Sequence, residues 1–134
     1  AAGVAVQNIV SREGLVEKVA ANGPLLKSWL AEALTGIDAI GDIRGRGHFI
    51  ALELVADRAT RRPFDKDLKL FMKIRAQAME NGLICYPVGG NVDGESGDIV
   101  IFAPPYNCTD NELTEIVDKG ARSVRQVLQA EGLA

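Results

Sequence analysis

Apolar residues recur along the first part of the chain at intervals of three and four. Val4, Ala5, Val6, Ile9 and Val10 come first, then Leu15, Val16, Val19 and Ala20, then Leu26, Trp29, Leu30, Ala33 and Leu34. This recurrence predicts helix over residues 1–35, with one face turned to a core. Ser11 and Gly14 divide it near the middle. Pro24 has no amide proton and predicts a kink or a restart, and Gly36 supplies a stop.

The period then shortens to two. Residues 37–43 read as a short strand and residues 48–55 as a longer one. His48, Ile50, Leu52 and Leu54 fall on one face of it, and Phe49, Ala51, Glu53 and Val55 on the other. Between the two strands lies Arg44-Gly45-Arg46-Gly47. Glycine supplies the positive φ that a chain reversal needs, so this stretch reads as the bend of a β-hairpin. It lacks the spacing of a phosphate-binding P-loop and precedes a strand rather than a helix. Arg44 remains a candidate to point into a cleft.

Residues 56–65 are a polar loop, with Asp65 as the N-cap of a helix over 66–80 that ends at Asn81-Gly82. Residues 83–88 (LICYPV) and 99–103 (IVIFA) read as strands, the second stopped by Pro104-Pro105. The loop between them, 89–98, carries Asn91, Asp93 and Glu95 in alternation. Its twelfth positions are Phe102 or Pro104 rather than the glutamate of a calcium loop, so calcium binding is not expected. Thr109 and Glu112 form a capping box ahead of a final helix carrying Leu113, Ile116, Val117, Ala121, Val124 and Leu128. The order α-α-β-β-α-β-β-α predicts a single α+β domain over residues 1–134. It would hold a small, mainly antiparallel sheet with helices packed on one face.

Composition narrows the function classes. A net charge of −3 and a pI near 5.2 argue against a nucleic-acid partner. No apolar run approaches the ~20 residues of a membrane span, so no membrane partner is expected. No charged-then-apolar leader is visible, and a cytoplasmic location is the expectation. Cys85 and Cys108 offer neither a disulfide framework nor a metal spacing, and read as reduced thiols. The single histidine, His48, reads as structural and no serine motif accompanies it, which argues against a Ser-His-Asp triad. No metal-ligand cluster is present in the sequence. From the residues alone, the chain is a scaffold-like domain with a few loops facing something else.

Three stretches carry a resemblance: GDIRGRGHFIALELVADRATRRPF, NGLICYPVGG and DIVIFAPPYNCTDNELTEIVDKG. In this order they resemble the C-terminal domain of class III pyridoxal-phosphate-dependent aminotransferases. The start AAGVAV, without methionine, is similar to the helix that follows the catalytic region in that family. The resemblance implies the C-terminal small domain of a fold-type I enzyme, part of a longer, homodimeric parent. The parent would transfer an amino group between an amine or amino acid and an oxo acid, using pyridoxal 5'-phosphate. Lys18, Lys27, Lys66, Lys69, Lys73 and Lys119 do not match the family's Schiff-base lysine motif. The resemblance therefore implies no catalytic and no cofactor-binding residue in this chain, which should be inactive without the large domain. Many members carry an arginine for the substrate carboxylate where this sequence has Tyr86. The resemblance implies Tyr86 as a substrate-binding position, with a strand aromatic packed at a domain edge as the open alternative; Arg44, in the bend, is the second candidate for substrate binding. Two alternatives stay open: an aminomutase or racemase of the same superfamily, and a non-catalytic α+β ligand-binding module.

Overall fold

The computed structural model describes residues 1–133; Ala134, the last residue of the expected domain, lies outside them. Helices α1 (Ala2–Arg12) and α2 (Leu15–Ala33) come first, then β1 (Ile40–Arg46) and β2 (Phe49–Leu54), α3 (Leu70–Glu80), β3 (Tyr86–Gly89), β4 (Asp98–Phe102) and α4 (Asp110–Ala130). The four strands form one sheet in the order β1-β2-β4-β3, every neighbouring pair antiparallel. The α+β reading and the element order hold.

One face of the sheet is covered. Ile50, Leu52, Val100 and Phe102 are almost fully buried on it, together with Leu26 and Leu30 of α2, Leu70 and Ile74 of α3, and Leu113, Val124 and Leu128 of α4. Burial of these side chains is the main stabilising term, roughly 1.5–3 kcal/mol for each large one. Gly120 lets α4 approach the sheet: a Cβ there would lie 2.4 Å from the Phe102 ring. The Asn81 amide donates to Ser123 Oγ at 2.8 Å and to Gln126 Oε1 at 2.9 Å, fixing the end of α3 to α4.

Several local expectations are corrected. Arg44-Gly45-Arg46 is not a bend; it continues β1 and pairs with Ala51, Ile50 and Phe49. The turn is Gly47-His48 alone. Gly47 sits at φ 57°, as a two-residue hairpin with glycine first requires. His48 belongs to that turn rather than to β2, and β1 starts at Ile40 rather than at residue 37. Pro24 neither breaks nor restarts the helix, because α2 runs through it. The division of the N-terminal helix falls at Gly14, which adopts φ 57°.

The helix expected over 66–80 is split. Asp65 does act as a cap, accepting from Asp67 N at 2.9 Å, but of a 3-10 turn over Lys66–Leu68. Lys69 then takes a left-handed conformation (φ 50°), and α3 begins at Leu70. Its N-terminal cap comes from far along the chain, where Asp98 on β4 accepts from Phe71 N at 2.9 Å. The strand read at 83–88 is shorter and shifted, at Tyr86–Gly89. The Thr109–Glu112 capping box is present as read, and hydrogen bonds from the Thr109 amide and hydroxyl hold the Glu112 carboxyl below the usual range.

Candidate functional site

The uncovered face of the sheet carries both residues singled out for substrate contact. Register places Arg44 opposite Ala51, Ala51 opposite Ile101, and Ile101 opposite Tyr86. Directly opposed residues share a face, so these four form one row across the sheet. The next row, Asp42, Glu53, Ile99 and Val88, lies on the same face. The middle of the surface is small and apolar, half-buried at Ala51, Ile99, Ile101 and Val88. Its two margins differ: β1 brings charge, and β3 brings the Tyr86 phenol.

The structure does not bring Arg44 and Tyr86 together. Three strand spacings separate them, about 14 Å of backbone. Arg44 is also engaged. Its Nη1 donates to Glu53 Oε2 at 2.6 Å and to Asp42 Oδ2 at 3.3 Å. The hydrogen bond to Glu53, above all, holds the guanidinium above its ordinary pKa. A guanidinium committed to two carboxylates is a poor clamp for a third. Glu53 was not singled out from the sequence; the signal available was a lone carboxylate inside an otherwise apolar strand.

Tyr86, by contrast, is 65% exposed, at the start of an edge strand. Its strand is held from behind. The Arg75 guanidinium donates to Pro87 O at 3.0 Å and lies 6.0 Å from the Phe71 ring centre. Gly89 presses on the same ring, where a Cβ would come within 2.5 Å. The phenol thus stands on a rigid support with its hydroxyl free to donate or accept one hydrogen bond.

The adjoining β3–β4 loop folds onto itself. Gly90 N donates to Gly97 O at 2.9 Å, and Asp93 Oδ1 accepts from Glu95 N at 2.9 Å and Ser96 N at 2.6 Å. The backbone donors, Ser96 first, hold the Asp93 carboxyl low. Glu95 is paired with Lys66. These carboxylates are occupied in building the loop, and among the described residues no group of three metal-ligating side chains gathers.

The two thiols are free. Burial pushes the half-buried Cys85 thiol up, and does the same to Cys108, which suits neither to act as a nucleophile at neutral pH. His48 is 3% exposed, edge-on to the Tyr106 ring with centres 6.3 Å apart, and neither of its nitrogens has a hydrogen-bond partner among the described residues. It packs beneath Tyr106 and does not reach the open sheet face.

A covalently held pyridoxal phosphate needs an amine in a shielded pocket. The lysines here do not fit that group. Lys27, Lys66, Lys69 and Lys73 are exposed, while Lys18 and Lys119 are half-buried on helix surfaces. Lys66, Lys73 and Lys119 pair with Glu95, Glu131 and Glu115.

Known proteins agree with the fold and with the family. The aminotransferase class-III family matches residues 1–124. An uncharacterized aminotransferase of Schizosaccharomyces pombe is 36% identical over 129 residues, covering 96% of this chain and 28% of its own. Diaminobutyrate--2-oxoglutarate transaminase of Halomonas elongata is 38% identical over 130 residues, covering 97% of this chain and 26% of its own. A solved PLP-bound aminotransferase mutant from Vibrio fluvialis superposes with a TM-score of 0.79 at 31% identity, over 95% of this chain and 26% of that one. Spanning about a quarter of the length of these relatives, the chain belongs to the class-III aminotransferases.

Proposed function

We propose that this chain is the C-terminal small domain of a pyridoxal-phosphate-dependent transaminase, and that its open sheet face closes over the substrate cleft of the parent enzyme. The parent transfers an amino group between an amine or amino acid and an oxo acid, works as a homodimer and is cytoplasmic. Pyridoxal phosphate, held by the large domain, supplies the electron sink for that transfer. This chain's part is to shape and cover the cleft, with Tyr86 at the substrate.

The observation that carries this reading is the half-apolar sheet face with an exposed, rigidly backed Tyr86 on one margin. A surface of this kind is what a domain leaves open when it packs on another. At the opposite margin Arg44 is already neutralised by Glu53 and Asp42. The substrate end facing Tyr86 is therefore read as uncharged or hydroxyl-bearing, since a phenol brings no positive charge to a carboxylate at neutral pH.

The division of labour is tested on the 134-residue chain itself. Incubation with pyridoxal phosphate and reduction by borohydride should leave no stoichiometric single-site adduct by mass spectrometry. The parent enzyme, treated alike, should give one adduct outside this region. A unique adduct on Lys18, Lys27, Lys66, Lys69, Lys73 or Lys119 would overturn the reading.

A further inference from the structure

β1 is an edge strand of the sheet. From the closing pair Arg46–Phe49, antiparallel pairs alternate between hydrogen-bonded and non-hydrogen-bonded. Gly45–Ile50 and Ile43–Leu52 fall in the second class. The N–H and C=O groups of Ile43 and Gly45 therefore point away from β2, and among the described residues neither amide donates to a turn or loop carbonyl. Alongside this edge runs a groove whose other wall is α2. It consists of two adjoining depressions that share Lys27: one includes Leu34, Ile43 and Arg58, the other Val19, Pro24, Gly45 and Arg46.

The charge in the groove is one-sided. Lys27, Arg46 and Arg58 form no ion pair among the described residues. The acidic side chain lining it, Asp42, already accepts from Arg44. This local excess of positive charge stands on a chain whose net charge is −3. Unpaired strand donors, an apolar helix wall and uncompensated cations together match one kind of occupant.

We propose that the groove between α2 and β1 is a docking site for an extended acidic peptide segment. Such a segment adds to β1 as a fifth strand. Its backbone pairs with Ile43 and Gly45, alternate apolar side chains rest on α2, and its carboxylates meet Lys27 and Arg46. Strand addition sets the direction and spacing of the segment, and the cations choose its charge.

The test uses the 15N-labelled chain titrated with a capped heptapeptide of alternating glutamate and valine. Controls are its lysine–valine counterpart and a version N-methylated at the central residue. The acidic peptide should shift the amides of Ile43, Gly45 and the α2 residues facing them, and slow hydrogen exchange at Ile43 and Gly45. The lysine peptide and the N-methylated peptide should each bind at least about tenfold more weakly. The double variant Lys27→Glu, Arg46→Glu should reverse the charge preference. Should that variant misfold, the three peptides on the unaltered chain still decide. Equal binding of acidic and basic peptides, or shifts confined to the other edge at Tyr86–Gly89, would overturn the proposal. So would concentration-dependent self-association through β1 that the acidic peptide does not displace, which would make a second copy the occupant.

Discussion

Asp98 Oδ1 on β4 lies 2.9 Å from Phe71 N in the first turn of α3, capping that helix from the sheet. Replacing Asp98 with alanine should remove the cap and destabilise the fold by about 1 kcal/mol, read by denaturant melts. Asparagine keeps the acceptor oxygen without the charge. Burial, the larger influence, raises the Asp98 pKa, and the Phe71 amide only partly opposes it. A raised carboxyl favours folding below its unfolded pKa, and that contribution is lost as pH rises through the folded value. Compared with the parent chain, Asp98→Asn should therefore gain stability between pH 4 and pH 7. An equal difference at both pH values would contradict this.

Gly23 and Gly47 bring helix and hairpin into backbone contact. A Cβ on Gly23 would lie 2.7 Å from Gly47 Cα and 2.8 Å from its amide nitrogen. Helix propensity alone favours alanine at an interior helical glycine by about 1 kcal/mol. Backbone cannot move aside as a flexible side chain can, so overpacking should win. Gly23→Ala is expected to lose about 1–2 kcal/mol in a chemical melt. Stabilisation would show that the helix slides away without penalty.

Gly45 adopts φ 147°, and a Cβ there would sit 2.0 Å from Phe49 O. Both the conformation and the space exclude a side chain. Gly45→Ala should cost more than about 1 kcal/mol. It should also displace the amide resonances of Arg46 and Phe49, the pair that closes the hairpin.

Tyr86→Arg in the parent enzyme should favour donors that carry a distal carboxylate. A planar guanidinium can bind such a group in two places, which a phenol cannot. The ratio of kcat/KM for paired donors differing only in that carboxylate should move by about tenfold, or ~1.4 kcal/mol. An unchanged ratio in a well-folded variant would make Tyr86 a packing residue.

Period and capping made the elements legible in the sequence, because both are local. The Thr109–Glu112 box, the division at Gly14 and the order of helices and strands needed no tertiary knowledge. The hairpin misled because glycine marks several things alike. Gly47 is a turn residue, while Gly45 is a strand residue kept small by Phe49 O. The break before α3 was hidden for another reason. A left-handed Lys69 has no compositional signature, and the cap that lets α3 start at Leu70 comes from Asp98 on another hairpin. Tyr86 could be singled out only through a family resemblance. Its row with Ile101, Ala51 and Arg44, and the pairing of Arg44 with Glu53, follow from strand register, which no local pattern specifies.

The strand order also sets how the molecule must assemble. β1 with β2, and β3 with β4, are neighbours along the chain and can pair early through short loop closures. The seam between β2 and β4, where Leu52 meets Val100, joins segments far apart in sequence with α3 between them. Closing that long loop costs entropy before any contact across the seam repays it, so seam formation should limit the folding rate. Mutations along Leu52, Val100 and Ile50 should slow folding, whereas changes in α1, which buries no residue, should leave the rate untouched.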